Sequence, residues 1–245
     1  MKIVEKIKFE LNQLSNSKKG KDLYQFFQAF PGGYGEGDQF LGVTVPLQRA
    51  VSKKYYREIT LKEIENLLTD PVHEHRLTAL FMLILKFQQM KDQTECEKIV
   101  ELYLKNIKHV NNWDLVDSSA HLILGPWLFE RDRKILYEFA DSKNLWVQRI
   151  AVLTTYHFIR NNQYEDTLRL AEILINHKHD LIHKAVGWML REIGNRDYDT
   201  EYRFLVKHYK RMPRTMLRYS IEKFPEDVRQ AFLKGDMRIL SQVAI

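Results

Sequence analysis

Apolar residues recur along this chain with the period of a helix. Leu61, Ile64, Leu67 and Leu68 fall on one face of a 3.6-residue turn. So do Ile99, Leu102, Tyr103 and Ile107, and later Leu168, Ala171, Leu174 and Ile175. Breakers separate these runs: Asp70-Pro71, Asn111-Asn112, Asp141-Ser142, Asn161-Asn162, Gly194-Asn195 and Met212-Pro213. The pattern predicts roughly a dozen helices of ordinary length joined by short connections.

The helices repeat. His75-Arg76-Leu77-Thr78-Ala79-Leu80, Gln148-Arg149-Ile150-Ala151-Val152-Leu153 and His183-Lys184-Ala185-Val186-Gly187-Trp188 each open with a polar residue and a cation, then turn small and apolar. Arg149 and Lys184 are 35 residues apart, and Arg76 and Arg149 are 73 apart, close to two such units. The missing unit falls at Asn112-Trp113-Asp114-Leu115-Val116-Asp117. A period near 35 is that of helical-pair repeats, and the TPR and ankyrin signatures are absent. The expected fold class is therefore all-α: an α-solenoid of stacked HEAT-like, ARM-type pairs with a concave basic surface. No linker or low-complexity stretch divides the chain, so residues 1–245 are expected to form one domain.

Composition narrows this picture. Ten Gly and six Pro are too few turn residues for an all-β chain of 245 residues. A single cysteine, Cys96, excludes an internal disulfide framework and a Cys-rich zinc module, and fits a reduced, cytoplasmic setting. The N-terminal segment lacks a signal-like apolar run, and the longest apolar stretch, Leu77 to Leu85, is too short to cross a bilayer. The net charge of +6 fits a polyanionic partner.

Candidate chemistry is concentrated in a few places. Trp113 and Asp117 are one helical turn apart and share a face. The alternative is a core tryptophan with a capping or solvated acid. Lys184, Trp188 and Arg191 form a basic–aromatic–basic stripe, suited to phosphate on either side of a sugar or base; snorkelling cations around a core ring are the alternative. Trp146 and Arg149 repeat the theme. From Arg203 to Arg218 six cations, among them Lys207, Arg211, Arg214 and Arg218, occur with no acid between them. Pro31-Gly32-Gly33-Tyr34-Gly35-Glu36-Gly37-Asp38 is the single glycine cluster, but no Gly-Lys-Ser/Thr follows it, so it reads as a tight turn between helices. His177, His179 and His183 lack the pattern of a zinc site and read as solvated or capping residues. No metal and no other cofactor is expected.

Three of these segments carry a resemblance. Val110-Asn111-Asn112-Trp113-Asp114-Leu115-Val116-Asp117, Trp146-Val147-Gln148-Arg149-Ile150-Ala151 and Lys184-Ala185-Val186-Gly187-Trp188-Met189-Leu190-Arg191-Glu192 resemble the signature segments of the AlkD-like DNA alkylation repair family. Phe40-Leu41-Gly42-Val43 with Pro46 resembles its N-terminal motif, so the likeness runs from about Tyr24 to Arg218. The resemblance implies a HEAT-like glycosylase that removes cationic N3- or N7-alkylated purines from duplex DNA. It implies Trp113 and Trp188 as aromatic faces at the lesion, Asp117 as the catalytic carboxylate and Arg149 as a holder of the nearby phosphate. Where better-known members carry a tyrosine near the lesion, the nearest match is Phe26, then Tyr24; the Gly-rich insertion before Phe40 departs from them.

The implied chemistry is sound. A cationic purine leaves without protonation, so one carboxylate suffices where ordinary glycoside hydrolysis needs two. Indole faces favour the cation by ~1–2 kcal/mol. The expected partner is alkylated double-stranded DNA, bound by a monomer through Lys184, Arg191, Phe26, Lys207, Arg211, Arg214 and Arg218. A non-catalytic helical-repeat paralogue that binds damaged or branched DNA is the competing reading, and a protein scaffold the third. The acid-free C-terminal run argues against the scaffold. Asp117 argues for catalysis, because a carboxylate facing phosphates is otherwise repelled.

Overall fold

The computed structural model describes residues 2–236, which are mostly helical and contain no β-strand. Fourteen α-helices follow one another among them: α1 (Ile3–Gln13), α2 (Ser17–Phe26), α3 (Val45–Tyr55), α4 (Leu61–Leu68), α5 (His73–Gln89), α6 (Gln93–Lys105), α7 (Trp113–Leu128), α8 (Lys134–Ala140), α9 (Leu145–Arg160), α10 (Glu165–Leu174), α11 (Asp180–Gly194), α12 (Tyr198–His208), α13 (Arg214–Ser220) and α14 (Glu226–Lys234). Short 3-10 turns occupy Ile107–His109 and Ile221–Lys223. Each breaker pair read from the sequence falls at a helix boundary or between helices. No helix of the described residues is long and apolar enough to cross a membrane.

The helix starts are written in local chemistry. Thr60 accepts from Glu63 N while Glu63 reaches back to Thr60 N, closing a capping box on α4. Asn16, Asp92, Asn144 and Asp197 cap α2, α6, α9 and α12 through their side-chain oxygens. His179 caps α11 by accepting from Leu181 N, and His177 Nδ1 accepts from His179 N, so these histidines serve the chain as caps.

The fold separates into two compact units, one ending at Trp127 and one beginning at Leu128. In the first, α1, α3 and α5 pack together, and α4 lies against α1, α5 and α6. Ile64, Leu67, Leu68, Ile99, Leu102 and Tyr103 are buried as the periodicity predicted, whereas Leu61 and Ile107, at the ends of their stripes, are half-buried. In the second unit α9, α11 and α13 pack side by side, while α10 lies against α8, α9 and α11. Its core includes Phe158, Ile182, Met189, Leu190, Met216 and Phe232. This stacking of helical pairs is the α-solenoid expected. Its repeat positions are legible: Arg76, Arg149 and Lys184 lie in the opening turns of α5, α9 and α11, and Asn112 directly precedes α7.

Gly187 is a point where the second unit demands glycine. A Cβ there would lie 2.5 Å from the Met216 carbonyl oxygen and 2.6 Å from Tyr219 Cβ, so its absence is what lets α13 press against α11.

Candidate functional site

In the first unit the site is assembled at the start of α7. Asn112 is buried, and its Oδ1 accepts from Trp113 N at 2.9 Å. The Trp113 ring stands edge-on to Phe26, centroids 5.7 Å apart, and tilted over Phe27 at 5.1 Å. Phe27 stacks in turn on Phe40 and His73, and Phe40 on His73. Phe26 is 62% exposed, an uncommon position for a phenylalanine that is free to bury itself, and it leaves an open aromatic face beside the half-buried Trp113. Asp117 follows one turn along α7 on the same face and is half-buried.

Charge holds this aromatic stack in place. His73 sits between two carboxylates, Nδ1 2.8 Å from Asp38 Oδ2 and Nε2 2.8 Å from Asp114 Oδ2. Arg76 donates to Asp38 Oδ1 at 2.6 Å, to Asn111 Oδ1 at 3.1 Å and to the carbonyls of Asp70 and Pro71. Burial opposes a charge on His73, but the field and hydrogen bond of Asp114, then the hydrogen bond of Asp38, outweigh it and raise the imidazole to about 9. The Asp38 carboxyl is itself held below its usual range: burial works against this, and the hydrogen bond from His73 and the Arg76 charge overcome it.

The Gly-rich segment is a tight loop between α2 and α3, with Gly32 and Gly37 in the left-handed region at φ 81° and 91°. A Cβ on Gly35 would lie 2.4 Å from the Phe27 carbonyl oxygen and 2.9 Å from Asn112 Nδ2. The loop therefore lies directly on the residues that seat Trp113, and its last residue, Asp38, supplies one of the carboxylates on His73. The motif after it is explained by Glu74, whose buried carboxylate accepts from the backbone N–H groups of Leu41, Gly42 and Val43 at 3.0, 2.7 and 3.3 Å.

In the second unit Trp146 and Arg149 are buried on α9, Arg149 only 4% exposed, and Arg149 donates to the Leu181 carbonyl in the first turn of α11. Gln148 ties the same turn to His177 (3.0 Å) and to the Ala140 carbonyl (3.1 Å). On α11, Trp188 is half-buried, its ring near Tyr156 at 5.9 Å and its Nε1 donating to Glu192 Oε1 at 3.2 Å. The cations flanking it are paired: Lys184 with Asp180 at 2.7 Å, and Arg191 with Glu222.

The C-terminal basic run is less lopsided in space than in sequence. Glu172 of α10 pairs with Lys207 of α12 at 3.2 Å, because packing brings an acid to the run from 35 residues away. Arg214 opens α13 and donates to the Leu233 carbonyl at 2.8 Å. Arg211, in the turn before α13, and Arg218, one turn into it, are exposed.

Sequence reasoning missed the supporting residues Phe27, His73, Asp38 and Asp114. Only the adjacency of Asp114 to Trp113 offered a signal; the other three converge from separate elements.

The family model described as DNA alkylation repair enzyme matches residues 7–224. The chain belongs to this family. A solved structure described as a predicted DNA alkylation repair enzyme from Enterococcus faecalis is similar in fold, with a TM-score of 0.67 at 16% identity, covering 86% of this chain and 97% of that one. No curated protein matches the chain. Membership makes this a DNA alkylation repair protein.

Proposed function

We propose that this DNA alkylation repair protein is a monofunctional DNA glycosylase acting on cationic N3- or N7-alkylated purines. The observation that carries this reading is the open Phe26–Trp113 aromatic face with Asp117 one turn along the same helix. An aromatic face selects a charged base over a neutral one. A carboxylate beside it stabilises positive charge developing on the sugar. The C1′–N bond breaks with its electron pair going to the purine, which leaves neutral. Water then adds to the oxocarbenium carbon and gives its proton to Asp117 or to solvent. No general acid is needed, in keeping with a single carboxylate.

In the second unit, Trp188 is assigned as a further aromatic face and Arg149 as a phosphate holder. Lys184, Arg191, Lys207, Arg211, Arg214 and Arg218 are assigned to the DNA backbone. Salt-sensitive binding is the signature of such contacts. The resting contacts of Lys184, Arg191, Lys207 and the buried Arg149 mean that phosphate must compete with Asp180, Glu222, Glu172 and the Leu181 carbonyl.

The test is release of free alkylpurines from methylated duplex DNA by the wild type and by Asp117→Asn. Release by the wild type alone supports the reading. Tight, salt-sensitive binding without release overturns it in favour of a non-catalytic DNA binder.

A further inference from the structure

The Gly-rich loop also covers the backbone that carries the exposed Phe26. Helix α2 closes at Phe26 in a Schellman turn: Ala29 N donates to the Tyr24 carbonyl at 2.9 Å and Gln28 N to the Gln25 carbonyl at 3.1 Å. Glycine is the usual residue at the left-handed position of such a turn. Here it is Gln28, at φ 49°. Neighbouring residues of a helix point roughly 100° apart, so Phe27 enters the aromatic stack while Phe26 stays outside it. The loop then meets four consecutive carbonyls of this turn. Tyr34 Oη donates to the Phe26 carbonyl at 3.2 Å. Gly35 packs so closely on the Phe27 carbonyl that a Cβ would lie 2.4 Å from its oxygen. Gly35 N donates to the Gln28 carbonyl at 3.2 Å, and Gly37 N to the Ala29 carbonyl at 3.3 Å. Gly33 is required by the same approach, since its Cβ would lie 2.0 Å from the Gln28 oxygen.

A left-handed residue other than glycine is strained, and it keeps its conformation only where its surroundings hold it. The loop supplies that hold. We propose that Tyr34 is a positioning residue: its hydroxyl, with the loop behind it, fixes the backbone of Phe26, so that the ring keeps its edge-on pose to Trp113 and its open face toward a cationic base. The Gly-rich loop is thereby part of lesion recognition as well as a turn between helices. This assignment rests on the reading of the Phe26–Trp113 pair as the lesion face. The positive charge passes from purine to sugar without leaving the site, so the face contributes to substrate and transition state alike. Loss of its pose therefore raises KM and leaves kcat in place.

The experiment is base release from a duplex carrying N7-methylguanine, resolved into kcat and KM, for the full chain, Tyr34→Phe, Phe26→Leu and the double variant. Tyr34→Phe removes one hydroxyl from a half-buried ring, so its melting temperature is expected to stay near that of the wild type. Its KM is expected to rise about fivefold at unchanged kcat. A loss of folded protein would instead lower kcat at unchanged KM. Because Tyr34 acts through Phe26, the rise should vanish in the Phe26→Leu background. An unchanged KM in Tyr34→Phe, or the same rise in both backgrounds, overturns the proposal. Fluorescence anisotropy of the same four proteins on methylated and unmethylated duplex keeps the two readings apart. If the wild type prefers the methylated duplex without releasing base, and Tyr34→Phe loses that preference, the glycosylase reading alone is removed. Release with a KM indifferent to Tyr34 removes the assignment of Tyr34 alone. Neither release nor preference in the wild type removes both.

Discussion

His73 Nε2 lies 2.8 Å from Asp114 Oδ2, so the first residue of α5 is tied to the turn that begins with Trp113. The same imidazole holds Asp38, the last residue of the Gly-rich loop. One buried ring thus joins three elements that are far apart in sequence.

This arrangement predicts a loss of stability on the alkaline side. The folded His73 titrates near 9 against an ordinary 6.5, so its contribution is complete below about 6.5 and is lost as pH rises through 9. The full effect is on the order of 3 kcal/mol. Glu201 adds to the trend. Burial lifts its carboxyl from 4.5 to about 9 against the pull of Arg191, so the folded state keeps a proton that the unfolded state has released, and stability falls across that range. Chemical unfolding from pH 5 to 9 should show the slope. His73→Gln should flatten it only above about 6.5 and cost about 3 kcal/mol at pH 6, where it strands two carboxylates. Glu201→Gln should flatten it from about 4.5 upward.

Asp117→Asn should abolish base release while DNA affinity stays equal or rises slightly, because a charge facing phosphates has been removed. Fluorescence anisotropy on the alkylated duplex, alongside the release assay, reads both. Markedly weaker DNA binding by the folded variant counts against the assigned role.

Phe26 and Phe27 are neighbours in sequence with opposite roles. Phe27 is buried in the aromatic stack, so Phe27→Ala should cost about 3–5 kcal/mol and lower the melting temperature accordingly. Phe26→Ala should leave the melting temperature nearly unchanged, yet reduce kcat/KM for cationic lesions, with a loss of ~1–2 kcal/mol of recognition.

Gly187→Ala should destabilise the second unit by about 1–3 kcal/mol, since the new methyl group meets the Met216 carbonyl oxygen and the helix must move. Thermal melts would show it. A neutral outcome would mean that α11 and α13 separate at no cost.

Arg218 is exposed, so Arg218→Ala should lower the magnitude of the salt slope of DNA binding by ~0.9 without altering stability. Arg149→Ala should weaken binding and flatten the slope too. It should also lower the melting temperature, because a buried guanidinium bonded to the Leu181 carbonyl is lost. An unchanged slope would remove either residue from the phosphate contacts.

The helical class, six of the breaks between helices and the repeat were legible in the sequence by itself. Each rests on local physics: a 3.6-residue apolar stripe such as Ile64, Leu67 and Leu68, or a breaker such as Asp70-Pro71. The Trp113–Asp117 face was legible for the same reason, since residues four apart on a helix must share a side. What seats Trp113 was not. Phe27, Asp38, Phe40 and His73 converge from α2, the Gly-rich loop, the segment before α3 and the start of α5, and no spacing rule links them. The electrostatic balance of the C-terminal run was likewise decided in space, where Glu172 reaches Lys207 from another helix. Local periodicity specifies which face of a helix is buried. Which side chains then meet, and which charges find partners, is a property of packing between elements, and the tertiary structure alone decides it.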